Sequence, residues 1–192
     1  MKTLTANEIY NQSLDKQRII VVGEGGTLIT SLILYVLKYH KRKFDYSLPG
    51  QQPVLNPDHA VIIIHGVDQL TDYKHHIAIL STISSNQNSK DFETLADATP
   101  KGGTILYPES DSTLKQIGSR ERADIQAIAY NRCKYNIKDG KTILISSSDE
   151  KFPIALSGDQ NMEYLSAAKE LLKKIGISSS QFYNAITVYQ PA

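Results

Sequence analysis

The sequence predicts an α/β fold of three layers, with a mostly parallel sheet and a small antiparallel annex. Three observations carry that expectation. Short apolar runs rich in β-branched residues alternate with stretches of helical periodicity, the first run closes on a glycine turn that opens a helix, and a late Asp-Gly pair separates two strand-like segments. At 192 residues, 41% of them apolar, the chain can bury one sizeable core, so a single domain over residues 1–192 is expected.

Arg18 to Val22 (RIIVV), closed by Gly23, reads as a buried strand of the kind found in parallel sheets. From Thr27 to His40 apolar residues fall at Leu28, Leu32, Leu34, Tyr35 and Val36, and the stretch ends in Lys41-Arg42-Lys43, which suits the negative end of a helix. Strands are then expected at Ala60 to Ile64, Ile77 to Leu80, Thr104 to Tyr107 and Asp124 to Ala129, with helical pieces at Asp91 to Ala98 and Ser112 to Ile117. Cys133 to Ile137 and Lys141 to Ile145 flank Asp139-Gly140, whose tolerance of positive φ predicts a tight hairpin. Asn161 to Ile175 has the clearest helical spacing, at Leu165, Ala168, Leu171, Leu172 and Ile175, with Gly176 placed as a left-handed cap. Ser178 and Gln181 have the spacing of a capping box, so a short final helix should follow, with Pro191 near its end.

Composition narrows the function classes. Lys and Arg number 21 against 20 Asp and Glu, which leaves no net field to draw the protein to nucleic acid or an acidic membrane. The single cysteine, Cys133, cannot form an internal disulfide, and a cytoplasmic location is expected. MKTLTANEIYNQ lacks the continuous apolar core of a leader peptide, and the apolar stretch from Ser31 to Leu37 is too short to span a bilayer.

Several groups invite a catalytic reading and support a plainer one. His75-His76, with His65 nearby, lacks the spacing of a metal site, because adjacent residues of a strand face opposite ways. Cys133 has no accompanying His and Asp pattern and reads as structural, and Ser146 to Ser148 has no flanking elbow glycines and reads as a loop. Eleven tyrosines are mostly half-buried packing residues on expectation, although an exposed cluster of them would make a partner surface.

The glycine turn Gly23-Glu24-Gly25-Gly26-Thr27-Leu28-Ile29 has the setting of a phosphate loop, a strand before it and a helix after it. Ser47-Leu-Pro-Gly50, Ala78 to Ser89 (AILSTISSNQNS), Pro100 to Asp111 and Gly158-Asp-Gln-Asn161 follow in the order found in the middle domain of the Mur ligases, which the chain resembles over roughly residues 18–186. These are the ATP-dependent enzymes that extend peptidoglycan precursors, and the muramate:alanine and murein-tripeptide recycling branches look nearest. The resemblance implies a fold of the P-loop, Mur ligase central-domain type, without the flanking UDP-sugar and C-terminal domains.

Matched residue by residue, the resemblance also implies loss. Thr27 stands where the family has its phosphate-binding lysine, and Leu28 stands where a hydroxyl residue would hold Mg²⁺. Asn86, Gln87 and Ser89 occupy the positions of an Asp, a His and a second Asp around the metal, and neutral amides are poor ligands for so strongly hydrated an ion. Asp68 is the only acid left near a strand end that is acidic in the family. Asn161 is kept from the motif that approaches adenine, while Gln160 replaces a His and Tyr164 a second Asn.

The expected function is therefore a degenerate, catalytically inactive Mur ligase-like domain with a binding or regulatory role linked to peptidoglycan precursor synthesis. Its vestigial nucleotide or anion site would comprise Gly23, Glu24, Gly25, Gly26, Thr27 and Asn161, with Leu28, Asn86 and Gln87 as former metal positions and no metal bound. No cofactor is expected, and the partner would be a protein, a Mur-type enzyme among the candidates. Two alternatives stand beside it. One is the ATP-binding subunit of a split amide ligase working through an acyl phosphate, which alone would need ATP and Mg²⁺; the other is a small-anion-binding module.

Overall fold

Alternation of side chains along the central strands sorts the core into two layers, one on each face of a sheet. The computed structural model describes residues 4–191, so the first three residues of the stretch read above as lacking a leader core lie outside it. Six strands, β1 (Gln17–Val22), β2 (Asp45–Ser47), β3 (Val61–His65), β4 (Ile77–Leu80), β5 (Thr104–Pro108) and β6 (Gln126–Tyr130), form one sheet in the order β2-β3-β1-β4-β5-β6, parallel throughout. Ile19, Val21, Ile63 and Ile79 point to one face, and Ile20, Val22, Ile64 and Leu80 to the other.

The first face is covered by α2 (Gly26–Tyr39), α5 (Asp159–Lys174) and α6 (Ser179–Ile186), and the second by α1 (Ala6–Asn11), α3 (Ser89–Asp97) and α4 (Ser112–Ser119). The chain passes from β1 to β2 and β3 on one side, then crosses to β4 on the other. The loop after β1 therefore lies where the strand order reverses, the position at which open α/β sheets form a crevice. A separate antiparallel sheet of β7 (Tyr135–Lys138), β8 (Lys141–Ile145) and β9 (Lys151–Ile154) is the annex.

The local signals read from the sequence act as physics requires. Asp139 and Gly140 turn the β7-β8 hairpin with φ of 50° and 72°. Gly176, at φ 88°, lets its own amide reach the Lys173 carbonyl and the Ile177 amide reach that of Leu172, which closes α5 in a Schellman arrangement. Ser178 and Gln181 cap α6 reciprocally.

Three elements differ from the expectation by being present at all. Helix α1 starts at a Thr5-Glu8 capping box that is legible in the sequence but precedes only six residues. Strand β2 has only three residues and owes its place to Asp45, a fully buried carboxylate. Lys16 Nζ lies 3.3 Å from it, and the Asn56 amide and His59 ring donate to it. Strand β9 carries Pro153, which cannot donate to a ladder; it is tolerated because β9 is the edge of its sheet.

Candidate functional site

The turn from β1 into α2 is held against the chain that leaves β4. Gly23, at φ 103°, approaches so closely that a β-carbon there would lie 2.5 Å from the Ser81 carbonyl oxygen, and the Ser81 hydroxyl donates to the Val22 carbonyl at 2.8 Å. The Glu24 amide donates to the Thr82 carbonyl at 2.7 Å, and the Gly26 amide closes the turn on the Gly23 carbonyl at 2.9 Å. Helix α2 then starts without a side-chain cap, as in a phosphate loop, where first-turn amides are left for an anion.

Two rings cover this turn. A β-carbon on Gly25 would stand 2.4 Å from Tyr164 Cε1, and one on Gly26 would stand 2.3 Å from His65 Nε2. Tyr164 reaches the loop from α5 and is 6% exposed. Its hydroxyl accepts from Gln160 Nε2 at 2.6 Å and donates to Thr82 Oγ1 at 3.2 Å, so the ring is tied at its far end to both α5 and the β4 loop. His65, at the end of β3, has no hydrogen bond to its ring nitrogens among the described residues, and partial burial lowers its pKa below 6.5. At neutral pH it lays an uncharged ring over Gly26.

The loop thus brings together four stretches that lie apart in the chain. Gly25, Thr82, Gln160 and Tyr164 meet at one point, and Gln160 and Tyr164 are two of the positions where the sequence departs from the Mur ligase pattern. His65 and Thr82 carried no signal of this role, because each matters only through the ring or backbone it meets across the sheet end.

The remaining sequence-predicted residues are placed as follows. Glu24 and Thr27 are exposed, and Leu28 is half-buried with its side chain packed on the core beneath α2. Gln87 Oε1 accepts from the amide and hydroxyl of Ser84, and Asn86 accepts from the Ser85 hydroxyl, so both amides close turns in the segment before α3. Asp68 and Gln87 share the lining of a cavity of about 410 Å³ that includes none of the glycine-turn residues. Asn161 donates to the Ser157 carbonyl at 2.8 Å at the start of α5. Beside it a polar cleft of about 560 Å³ is lined by Ser110, Arg132, Asp159, Gln160 and Glu163, with Arg132 paired to Asp159 and Ser110 bonded to Glu163.

The groups read as structural also have structural partners. His75 is buried with Nε2 on Thr99 Oγ1 at 2.9 Å, and burial, followed by the charges of His76 and Arg18, lowers its pKa to about 4. His76 Nδ1 accepts from the Arg18 amide at 3.0 Å. Burial raises the pKa of the Cys133 thiol, which disfavours the reactive thiolate.

No protein-family model and no curated protein sequence matches the chain. Solved structures do. The UDP-N-acetylmuramate:L-alanyl-gamma-D-glutamyl-meso-diaminopimelate ligase of Neisseria meningitides superposes with a TM-score of 0.76 at 14% identity, over 96% of this chain and 69% of that one. The UDP-N-acetylmuramoylalanyl-D-glutamyl-2,6-diaminopimelate--D-alanyl-D-alanyl ligase of Acinetobacter baumannii gives a TM-score of 0.77 at 12% identity, over 97% of this chain and 49% of that one. The folylpolyglutamate synthetase of Lactobacillus casei gives 0.71 at 8% identity, over 96% and 65%. The chain has the fold of the Mur ligase central domain and spans about half to two thirds of the length of these proteins. Among the described residues no helix is long and apolar enough to cross a membrane.

Proposed function

We propose that this chain, whose fold is that of the Mur ligase central domain, is a non-catalytic binding module that has exchanged nucleotide chemistry for a closed phosphate loop. One observation carries the reading: the Tyr164 ring lies on Gly25 and is tied down by Gln160 and Thr82. Phosphate binding at such a turn needs the backbone to be approached closely, which is the reason for glycine there. Here a tyrosine makes that approach.

The side chains that would act on ATP are missing in the same place. Thr27 supplies no charge to phosphate oxygens, neutral His65 supplies none either, and Leu28 cannot ligate Mg²⁺. The family resemblance supports a binding or regulatory role near peptidoglycan precursor synthesis, with the protein's partner surface away from the covered Gly25.

Calorimetry with Mg·ATP tests this directly. The expected result is no heat and no phosphate release up to millimolar nucleotide. Mg²⁺-dependent turnover, or a dissociation constant below about 1 mM, would overturn the reading and favour a split amide ligase. Binding of inorganic phosphate alone would favour the anion module.

A further inference from the structure

A cleft runs along the outer face of α2 from its first turn to Lys38. Thr27, Ser31, Leu34, Tyr35 and Lys38 line it at successive helical turns, so it extends about 16 Å at ~1.5 Å per residue. Phe44, Tyr46 and Leu48 form the facing wall, and Tyr189 closes the side. The cavity holds about 750 Å³. Buried Asp45 fixes the wall, because anchoring it inward turns its neighbours Phe44 and Tyr46 toward the cleft.

The exposed apolar surface of the protein gathers here. Six large apolar residues are markedly exposed among those described; one, Val67, lines this cleft, and three, Tyr39, Val54 and Val188, contact residues that line it. Val67 lines it; Val54 bridges to Tyr46; Tyr39 stacks on Tyr35 at 6.3 Å; and the Val188 carbonyl accepts from the Tyr35 hydroxyl. Tyr35 and Tyr189 meet edge to face at 5.0 Å. Exposed apolar residues gathered around an aromatic cleft are the surface pattern of a recognition site.

Charge selects the occupant. Among the described residues no acidic side chain lines the cleft, and Lys38 stands at one end of it, with Lys41, Arg42 and Lys43 in the short link from Lys38 to Phe44 of the facing wall. Lys38, Lys41 and Lys43 form no ion pair among the described residues, and the carboxylate nearest in sequence, Asp45, is buried with Lys16. An apolar cleft with an uncompensated cationic end fits an apolar segment that carries acid. Its length suits about five residues of extended chain at ~3.3 Å each.

We propose that the α2 cleft receives a short segment of a partner protein, with aromatic or aliphatic anchors between Tyr35, Phe44 and Tyr189 and an Asp or Glu residue beside Lys38. This rests on the binding role proposed above; the cleft shares Thr27 and His65 with the loop, but neither Gly25 nor Tyr164 lines it.

Selection from a random peptide library on the intact chain tests it. The recovered peptides should combine apolar anchors with Asp or Glu, and fluorescence anisotropy of a recovered peptide should show affinity lost about tenfold in Lys38→Glu, less in Lys38→Gln, and about threefold in Val188→Ser or Tyr39→Ser. No enrichment over an unrelated protein, enrichment without acidic residues, or affinity indifferent to Lys38→Glu and Val188→Ser would overturn the proposal. A concentration-dependent dimer that Val188→Asp abolishes would overturn it in favour of a second copy of this chain. A chain that binds Mg·ATP yet selects acidic peptides would overturn the inactive-loop reading alone.

Discussion

Helix α2 presents two surfaces that have been treated in opposite ways. Its starting glycines, Gly25 and Gly26, which in a phosphate loop stay open for an anion, are covered by Tyr164 and His65. Its long outer face, with no such chemistry to protect, is left open and aromatic. The difference teaches that a glycine turn in a phosphate-loop setting does not by itself say what is seated on it. Gly25 is as necessary for seating a tyrosine ring as it is for seating a phosphate, and only the contacts distinguish the two.

The largest effect should come from removing the cover. Tyr164→Ala deletes a buried aromatic and is expected to cost about 3–5 kcal/mol, whereas Tyr164→Phe, which keeps the ring and loses the bonds to Gln160 and Thr82, should cost about 1–2 kcal/mol, read by urea denaturation. The same variants separate closure from lost charge. Thr27→Lys alone should leave Mg·ATP unbound, and Thr27→Lys with Tyr164→Ala should bind it measurably. If Thr27→Lys alone restored binding, the ring would not be what closes the loop.

The two loop glycines should then differ. Gly25 has ordinary helical dihedrals, so alanine there meets no backbone strain, only the tethered Tyr164 ring. Gly25→Ala is expected to cost about 1–3 kcal/mol by overpacking, and less than about 0.5 kcal/mol in the Tyr164→Ala background. Gly26→Ala meets the far end of the untethered His65 ring, which can swing toward the cleft, and should cost under about 1 kcal/mol. Equal costs for the two would remove the distinction between a locked cover and a loose one. On the open face, Tyr39→Ser and Val188→Ser should change stability by less than about 0.5 kcal/mol, since both side chains are about half exposed.

Much of this was legible from the order of residues, and the boundary of legibility has a physical cause. Strand β1, the glycine turn, the Asp139-Gly140 hairpin and the Gly176 cap are written locally, in apolar alternation and in residues that tolerate positive φ. The Mur-type fold was legible from motif order, although identity to the superposable ligases is only 8–14%. Strand β2 and the seating of Tyr164 were not, because Asp45 acts through Lys16 and His59, and Tyr164 through Gly25 and Thr82, partners remote in sequence. Substitutions at Gln160 and Tyr164 read as two separate losses along the chain; in space they are one hydrogen-bonded pair.

The smallest effect is also the most direct readout of whether an anion reaches the loop. Burial lowers the His65 pKa below 6.5, so the folded protein binds fewer protons at this ring than the unfolded chain does. Its contribution to stability is therefore present above pH 6.5 and is lost as pH falls from there through the folded pKa. A phosphate on the α2 amides would lie beside a ring that rests on Gly26, favour the imidazolium and raise that pKa. Nuclear magnetic resonance of the His65 ring should thus give a midpoint below 6.5 that excess inorganic phosphate does not move, and a midpoint that rises with phosphate in Tyr164→Ala. A rise in the wild-type chain would mean that the cover admits anions and that the two surfaces of α2 are both open.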